Sequence, residues 1–429
     1  MHAAPCYQLD GAAANEDGRA FVDGMSGRTL ERQHQPGVMT GIALLLPITL
    51  TTMAVVLLAP VLPKLMAEFS DVSGHEYLVP MVLTLPSLCV AVLCPFAGLL
   101  GDRFGRRKLL LAALLLYAVV GVAPVFLSDL THILISRICV GVAEALIYVM
   151  STTMIGDHFT GKERDRWLAG QTAFASLSAL LFFNLGGVLG ELGWRAPFWA
   201  YLSALVMFVL VLRYTAEPGV NNAAGDAGDG AEPAWRGRFP WGRMGLIVGI
   251  TIYGSVFFYT VQIQASTGLA ALGLDSAARI GLLTSIASLG VPLGTFVYSR
   301  IAAVGPRRLL AAEFALLATG FVLMGRSGSV PMFLIGCFIN QLGAGMLLPT
   351  LLVWSMSILP FGIRARGTGF WQSSFALGQW LSPLAVTTLS LQFGGLGAAF
   401  SILGIVAGLG LVVTLLSRLV AGPGKSLSA

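Results

Sequence analysis

The sequence predicts an all-α, polytopic membrane protein with twelve transmembrane helices arranged as two six-helix bundles. Three observations carry that prediction. Of 429 residues, 56% are hydrophobic and only 11% charged, with a mean hydropathy of +0.80. Soluble domains carry about 25% charged residues, so a chain this long and this poor in charge cannot cover a water-soluble body. Twelve apolar runs are each long enough to cross a hydrocarbon core about 30 Å thick. One polar segment, "TAEPGVNNAAGDAGDGAEPAWRGRF", divides those runs six and six, and its Gly, Ala, Pro and Asp disfavour both a packed core and a membrane span.

Along the chain, residues 1–37 form a polar tail with acids but no short apolar segment ending at a small-residue cleavage site. The first helix is therefore expected both to target the chain and to stay. Helices follow at 38–65, 77–100, 108–127, 130–157, 167–190, 194–215, 241–264, 276–299, 306–325, 330–359, 365–392 and 394–418. The first six make an N-terminal bundle, 38–215, and residues 216–240 a cytoplasmic linker. The last six make a C-terminal bundle, 241–418, followed by a tail, 419–429. The eighth and ninth helices, and the eleventh and twelfth, are the least cleanly separated pairs.

The net charge is +5 with a pI of about 9.1, but its distribution argues against a nucleic-acid partner. With both termini cytoplasmic, 21 cations lie in inside segments and four outside, Lys64, Arg195, Arg279 and Arg326. That asymmetry sets orientation by the positive-inside rule, so the basic excess is a topology signal. The expected location is the inner or plasma membrane, and the expected state a monomer in the lipid bilayer. Cys6, Cys89, Cys94, Cys139 and Cys337 show no metal-ligand spacing, so space-filling buried thiols are expected. No HExxH, P-loop or GxSxG occurs; "SGHEYL" offers His75 and Glu76, but Val79 stands where a second His is required. No enzyme activity, metal or cofactor is expected.

The halves echo each other at an offset of about 200 residues. "GLLGDRFGRRKLLL" follows the second helix and "GTFVYSRIAAVGPRRLL" the eighth; "FTGKERDRWLAG" follows the fourth and "FGIRARGTG" the tenth. One ancestral six-helix unit used twice explains this, and paired repeats facing a midplane cavity are a recurring transporter architecture.

The loop Gly98-x-x-x-Asp102-Arg103-x-Gly105-Arg106-Arg107, between helices 2 and 3 of twelve, resembles the signature of the major facilitator superfamily. A second signature recurs in helix 4, where "RICVGVAEA" carries Arg137 and Gly141 of an Arg-x-x-x-Gly pattern, and "GWRAPFWAY" resembles the family's turn into helix 6. The resemblance covers roughly residues 38–418. In physical terms, Gly98 lets helix 2 approach a helix of the other half closely, and Asp102 suits the positive N-terminal end of helix 11. Arg106 can pair with Asp102 and with Asp157 at the end of helix 4. The resemblance implies a relay made while the cytoplasmic side is closed and broken when it opens. Exposed pairs contribute about 0–1 kcal/mol each, which suits a latch that must release; the alternative is that the cations only anchor topology. The second half lacks the acid, with Tyr298 four residues after Gly294.

Three charges sit inside helices: Arg137, Glu144 and Glu313. Each costs roughly 2.5–3.5 kcal/mol on insertion scales and needs a reason. Arg137, Gly141, Glu144, Tyr148 and Ser151 line one face of helix 4, a polar stripe that must point inward. Two readings fit. Glu144 carries a proton while Arg137 releases it or holds an anionic group, or the two form a static buried pair. Glu313, near Arg300, Arg307 and Arg308, is explained by an ion pair at the cytoplasmic edge. Glu two turns beyond the family's arginine resembles organic-anion:proton symporters and lipid-type transporters more than typical drug antiporters. Yet helix 1 offers only Thr49, Thr51 and Thr52 where the symporters often carry a second acid. In helix 5, "FFNLGG" keeps a glycine pair but has Phe182 and Phe183 where the superfamily's antiporters have Gly-Pro.

Cavity candidates are Tyr148, Tyr259, Gln262, Asn340, Gln372 and Gln379, with Trp371 and Trp380 flanking. For any one amide the alternative is a helix–helix hydrogen bond of about 0.6 kcal/mol. Amides and aromatics with one charge pair suit a partly apolar organic molecule. The expected function is proton-coupled secondary transport of a small organic solute by alternating access, with export favoured. An organic-anion:proton symporter is the alternative, and a non-transporting sensor on the same fold a remote one.

Overall fold

The computed structural model describes residues 37–217, 240–359 and 364–416. Both tails and most of the expected linker lie outside the described residues. Among those described, twelve long helices run in order: α1 (Val38–Glu68), α2 (His75–Phe104), α3 (Arg106–Val122), α4 (Leu130–His158), α5 (Gly161–Glu191), α6 (Ala196–Tyr214), α7 (Trp241–Ala271), α8 (Ala277–Val304), α9 (Pro306–Gly325), α10 (Val330–Ile358), α11 (Arg364–Phe393) and α12 (Leu396–Leu416). Eleven of the described helices are long and apolar enough to span a membrane. The remaining one, α11, turns several polar residues inward, Ser374, Gln379 and Ser382 being buried, which keeps those groups from lipid.

Local chemistry accounts for the breaks. Pro47 and Pro60 open 3₁₀ turns within α1, because proline removes an intrahelical donor. Asp129 caps α4, its Oδ1 accepting from the Thr131 amide at 2.8 Å, and that amide, with His132 beside it, holds the carboxyl below its usual range. The poorly separated helix pairs are divided by backbone that favours glycine: Gly305 between α8 and α9 has φ +94°, and Gly394 and Gly395 before α12 have φ +85° and +116°. Helix α5 begins at Gly161 rather than 167, because "GKERDR" continues the helix beyond its apolar run.

The repeat is visible in three dimensions. Gly105, ahead of α3, has φ +91°, matching Gly305 ahead of α9. Arg107 Nη2 donates to the Leu212 carbonyl at 2.7 Å, and Arg307 donates to the carbonyls of Thr414 and Leu415. Each arginine thus reaches carbonyls of its own half's sixth helix near the last described turn, where the helix dipole favours positive charge. Buried apolar side chains fall into two large clusters, one drawn mainly from α1–α6 and one from α7–α12.

Across the halves, α2 packs on α11 and α5 on α8. The contacts concentrate at the end opposite the charged loop. There Glu191 Oε1 accepts from Ser276 Oγ at 2.6 Å and from the Ala278 amide at 2.8 Å, joining α5 to the start of α8. Asn184 Nδ2 donates to Ser285 Oγ at 2.9 Å and Thr387 to the Glu76 carbonyl at 3.2 Å, while within the first half Lys64 Nζ ties α1 to α5 at the Gly190 carbonyl, 2.8 Å away. At the charged-loop end, Gly98 and Gly369 have no neighbour within 4 Å of a built Cβ. Among the described residues, hydrogen bonds join the halves at one end, and at the other Gly98 and Gly369 face open space. Glu191→Ala removes the acceptor shared by Ser276 and Ala278, a negative charge at a helix N-terminus. It is expected to raise severalfold the labelling rate of a Ser285→Cys reporter, read with an impermeant thiol reagent; an unchanged rate would show that the bond does not hold this end shut.

Candidate functional site

Helix α4 carries the inward polar stripe. It crosses α2 at Gly141, where a Cβ would lie 2.6 Å from the Pro86 backbone, so only glycine permits this approach. The close crossing sets Glu144, one turn further on, deep in the interior at 5% exposure. Its Oε2 is buried without a hydrogen-bond partner among the described residues. The titratable groups around it are Cys89 and Cys94 of α2, Tyr117 of α3, Arg137, Tyr201 of α6 and, from the other half, Tyr259 of α7. Two of the phenols are committed elsewhere, Tyr117 to the Leu50 carbonyl at 2.8 Å and Tyr201 to the Ala54 carbonyl at 3.5 Å. An ionised carboxyl so placed lacks a neutralising contact, and burying it without one is costly.

Arg137 is not that contact. It is fully buried, but Nη2 donates to the carbonyls of Val120 and Gly121 at 3.3 and 3.1 Å, and Nε to Ser136 Oγ at 3.3 Å. Its guanidinium carbon lies 5.0 Å from the ring centroids of both Phe198 and Tyr201. The side chain reaches towards α3 and α6, closing the last turn of α3. No ion pair with Glu144 is present among the described residues, although both lie on one helix face. Arg137→Ala is expected to destabilise the fold by about 2–4 kcal/mol, from unpaired buried carbonyls plus a cavity, and Arg137→Lys by less. Thermal unfolding checks this; a stable Arg137→Ala protein with altered proton coupling would instead tie the residue to Glu144.

In the signature loop, Arg106 bridges Asp102 at 2.8 Å and Asp157 at 2.5 Å. All three belong to the first half. Arg103 lies 5.5 Å over the Phe104 ring, and Arg107 closes α6 as described. Gly105 is where Glu217 arrives, its Oε1 accepting from the Arg107 amide at 3.3 Å. Gly98 faces open space, so the close approach expected of it is absent from this conformation. Residues 360–363, ahead of α11, lie outside the described residues.

The cavity candidates divide. Tyr148 donates to Gln372 Oε1 at 3.2 Å, joining α4 to α11 across the halves. Tyr259 stands 5.3 Å from Phe375 between ring centroids and packs against both apolar clusters. Gln379 is buried two turns beyond Gln372. Gln262 donates to Gln341 Oε1 at 3.4 Å. Asn340 turns away, its Nδ2 3.5 Å from the Leu317 carbonyl of α9. Glu313 corrects the expectation of an edge ion pair. It is fully buried, takes a 2.5 Å hydrogen bond from Thr350 of α10, and leaves Oε2 unpartnered among the described residues. The neighbouring arginines are used elsewhere, Arg307 on α12 and Arg300 over the Phe296 ring at 4.8 Å.

Sequence reasoning missed Gln171 of α5, which is buried, its Oε1 accepting from Thr152 Oγ1 at 3.4 Å and its Nε2 unpartnered among the described residues. It lies in the turn joining the charged start of α5 to its apolar run, where a lone glutamine carries little signal. Trp371, which flanks the cavity candidates in sequence, is buried, with its indole nitrogen unpartnered among the described residues.

Comparison with known proteins places this geometry. A family profile described as Major Facilitator Superfamily matches residues 44–275 and 265–429. The chain is 30% identical over 182 residues to the class B tetracycline resistance protein of Escherichia coli, covering 42% of this chain and 44% of that protein. The match thus spans less than half of that relative's length. Among solved structures, a D-xylose-proton symporter aligns with a TM-score of 0.73 at 16% identity, over 91% of this chain and 99% of that one. A bacterial homologue of the lysosomal transporter Spinster, inward-facing and unoccupied, aligns at 0.71 and 16% identity, over 91% and 99%. At such identity the likeness is one of fold.

Proposed function

The chain belongs to the Major Facilitator Superfamily, and on that premise we propose that it exports a small, partly apolar organic solute by proton-coupled alternating access. The observation that carries this reading is Glu144: a carboxyl buried at the meeting of the halves, one oxygen unpartnered, with Tyr259 of the opposite half among its neighbours. A proton removes the cost of its charge when the site is sealed, and the parted charged-loop end offers a route for solute and proton. Tyr148, Gln372, Gln379 and Tyr259 form the contact surface, aromatic and amide in character, which suits a partly apolar ligand.

The cation distribution assigns the charged-loop end to the cytoplasm, with both termini there, in the cell membrane. The conformation is then inward-open. Export is favoured over anion symport because Arg137 makes no ion pair with Glu144 and commits Nε and Nη2 to Ser136 and the carbonyls of α3, leaving only Nη1 without a partner among the described residues. The tetracycline resistance protein supplies a first probe by its name.

The test is counterflow in proteoliposomes loaded with unlabelled tetracycline and exposed to labelled tetracycline, then repeated with other amphipathic drugs and organic anions. Exchange above protein-free vesicles supports transport. Failure across all three classes would return the chain to a sensor on the same fold.

A further inference from the structure

Away from the Glu144 region, at the closed end, a cavity of about 190 Å³ lies between the halves. That is the volume of about six liquid waters and falls below the roughly 300 Å³ where drug-sized pockets begin. Leu62 and Met66 of α1 and Val386 of α11 form apolar walls. Two polar groups of opposite character flank them. Gln264 of α7 is 5% exposed; its Oε1 accepts from Thr267 Oγ1 at 2.8 Å, leaving Nε2 with no hydrogen bond among the described residues. Glu76, in the first turn of α2, brings a carboxylate whose one ion-pair partner within 4 Å among the described residues is the His75 ring, at 3.6 Å. Its backbone carbonyl, not its side chain, holds Thr387 of α11.

We propose that this cavity is a binding site for a small organic amine, distinct from the transport site, that holds the outer end of the protein shut. The ammonium pairs with Glu76, an apolar body lies between Leu62, Met66 and Val386, and an acceptor at the far end takes the free Gln264 amide. An anionic ligand is disfavoured by Glu76. A larger amphipathic solute does not fit. Both halves supply wall residues, so parting them at this end dismantles the site. A ligand bound only in the closed form shifts the population towards that form by its differential affinity. An amine on the outer side therefore acts as a brake on turnover. This consequence rests on the alternating-access reading; the binding site itself does not.

The experiment uses the purified full chain with tyramine as probe and phenol, which lacks the ammonium, as control. Saturating tyramine is expected to raise the melting temperature by about 2 °C and to slow labelling of the Ser285→Cys reporter. Phenol gives a smaller rise. Glu76→Gln and Gln264→Leu each abolish the tyramine shift while the unliganded melting temperature stays at the parent's value. If Gln264→Leu does not fold, Glu76→Gln decides alone, since that side chain is 40% exposed. No shift with tyramine, or equal shifts in parent and Glu76→Gln, overturns the proposal. A tyramine shift in a protein that shows no counterflow leaves this site standing and overturns the transport reading instead.

Discussion

Glu144→Gln is expected to abolish accumulation driven by a pH gradient while leaving counterflow intact. Glutamine keeps the size and hydrogen-bonding capacity of the protonated acid but cannot release a proton. With one proton per solute, a one-unit gradient supplies about 1.4 kcal/mol and sustains about a tenfold concentration ratio; the variant is expected to relax that ratio to about one. Counterflow needs only conformational exchange of loaded protein, and a permanently neutral Glu144 position satisfies it without leaving a buried charge. The measurement is solute distribution across proteoliposomes with and without an imposed gradient. A variant that still accumulates solute moves the coupling elsewhere, and Glu313 is the next group to test. It is fully buried with one free oxygen, but it lies between α9 and α10, inside the second half.

Gly281→Val is expected to prop the outer end open. A Cβ at Gly281 would lie 2.4 Å from the Phe183 carbonyl and 3.0 Å from the Gly187 Cα, so the backbones of α5 and α8 cannot meet there with any side chain between them. Overpacking a tight contact costs about 1–3 kcal/mol, or about 5- to 150-fold in the ratio of closed to open forms. Because the contact joins the halves and is not internal to one, that cost falls on one conformation and not on the folded state as a whole. The Ser285→Cys reporter should label faster, and transport should fall with the loss of the inward-open form. Gly186 makes the informative contrast. Its Cβ would overlap the Leu57 carbonyl at 1.9 Å within the first half, so the same substitution there is expected to lower the melting temperature instead. Gly98→Leu is the opposite case: nothing lies within 4 Å in this conformation. Only a closed charged-loop end brings a helix near it, so slower reporter labelling is expected.

The same glycines show where sequence reading reaches its limit. "FFNLGG" was legible as a departure from the antiporter pattern, but that Gly187 faces Gly281 across the halves depends on how two distant segments are juxtaposed. The pairing of Arg106 with Asp102 and Asp157 was legible because one acid is four residues away across the Gly105 turn and the other ends a neighbouring helix. Arg137 and Glu144 share a helix face, and a face was all that periodicity could supply. An arginine side chain is long enough to serve any of several neighbouring helices, and the carbonyls left unpaired at the end of α3, with the rings of Phe198 and Tyr201, outcompete a carboxyl two turns away. Glu313 resembled an edge residue because arginines lie nearby in sequence, yet Arg307 serves α12, Arg300 lies over the Phe296 ring, and Thr350 of α10 takes the carboxyl.

By itself the sequence determined that this chain lives in a bilayer, how many times it runs back and forth, and that it was built from a repeated unit. Each of these follows from quantities local to the chain: apolar length against membrane thickness, and glycines and charges recurring at a fixed offset. The tertiary structure alone decided which end is shut, which buried charges have partners, and that a small hollow persists between the halves at the shut end. Those depend on contacts between different helices, from 16 positions apart for Arg137 and Gly121 to 311 for Glu76 and Thr387, whose geometry is set by helix packing and leaves no periodic trace in the sequence.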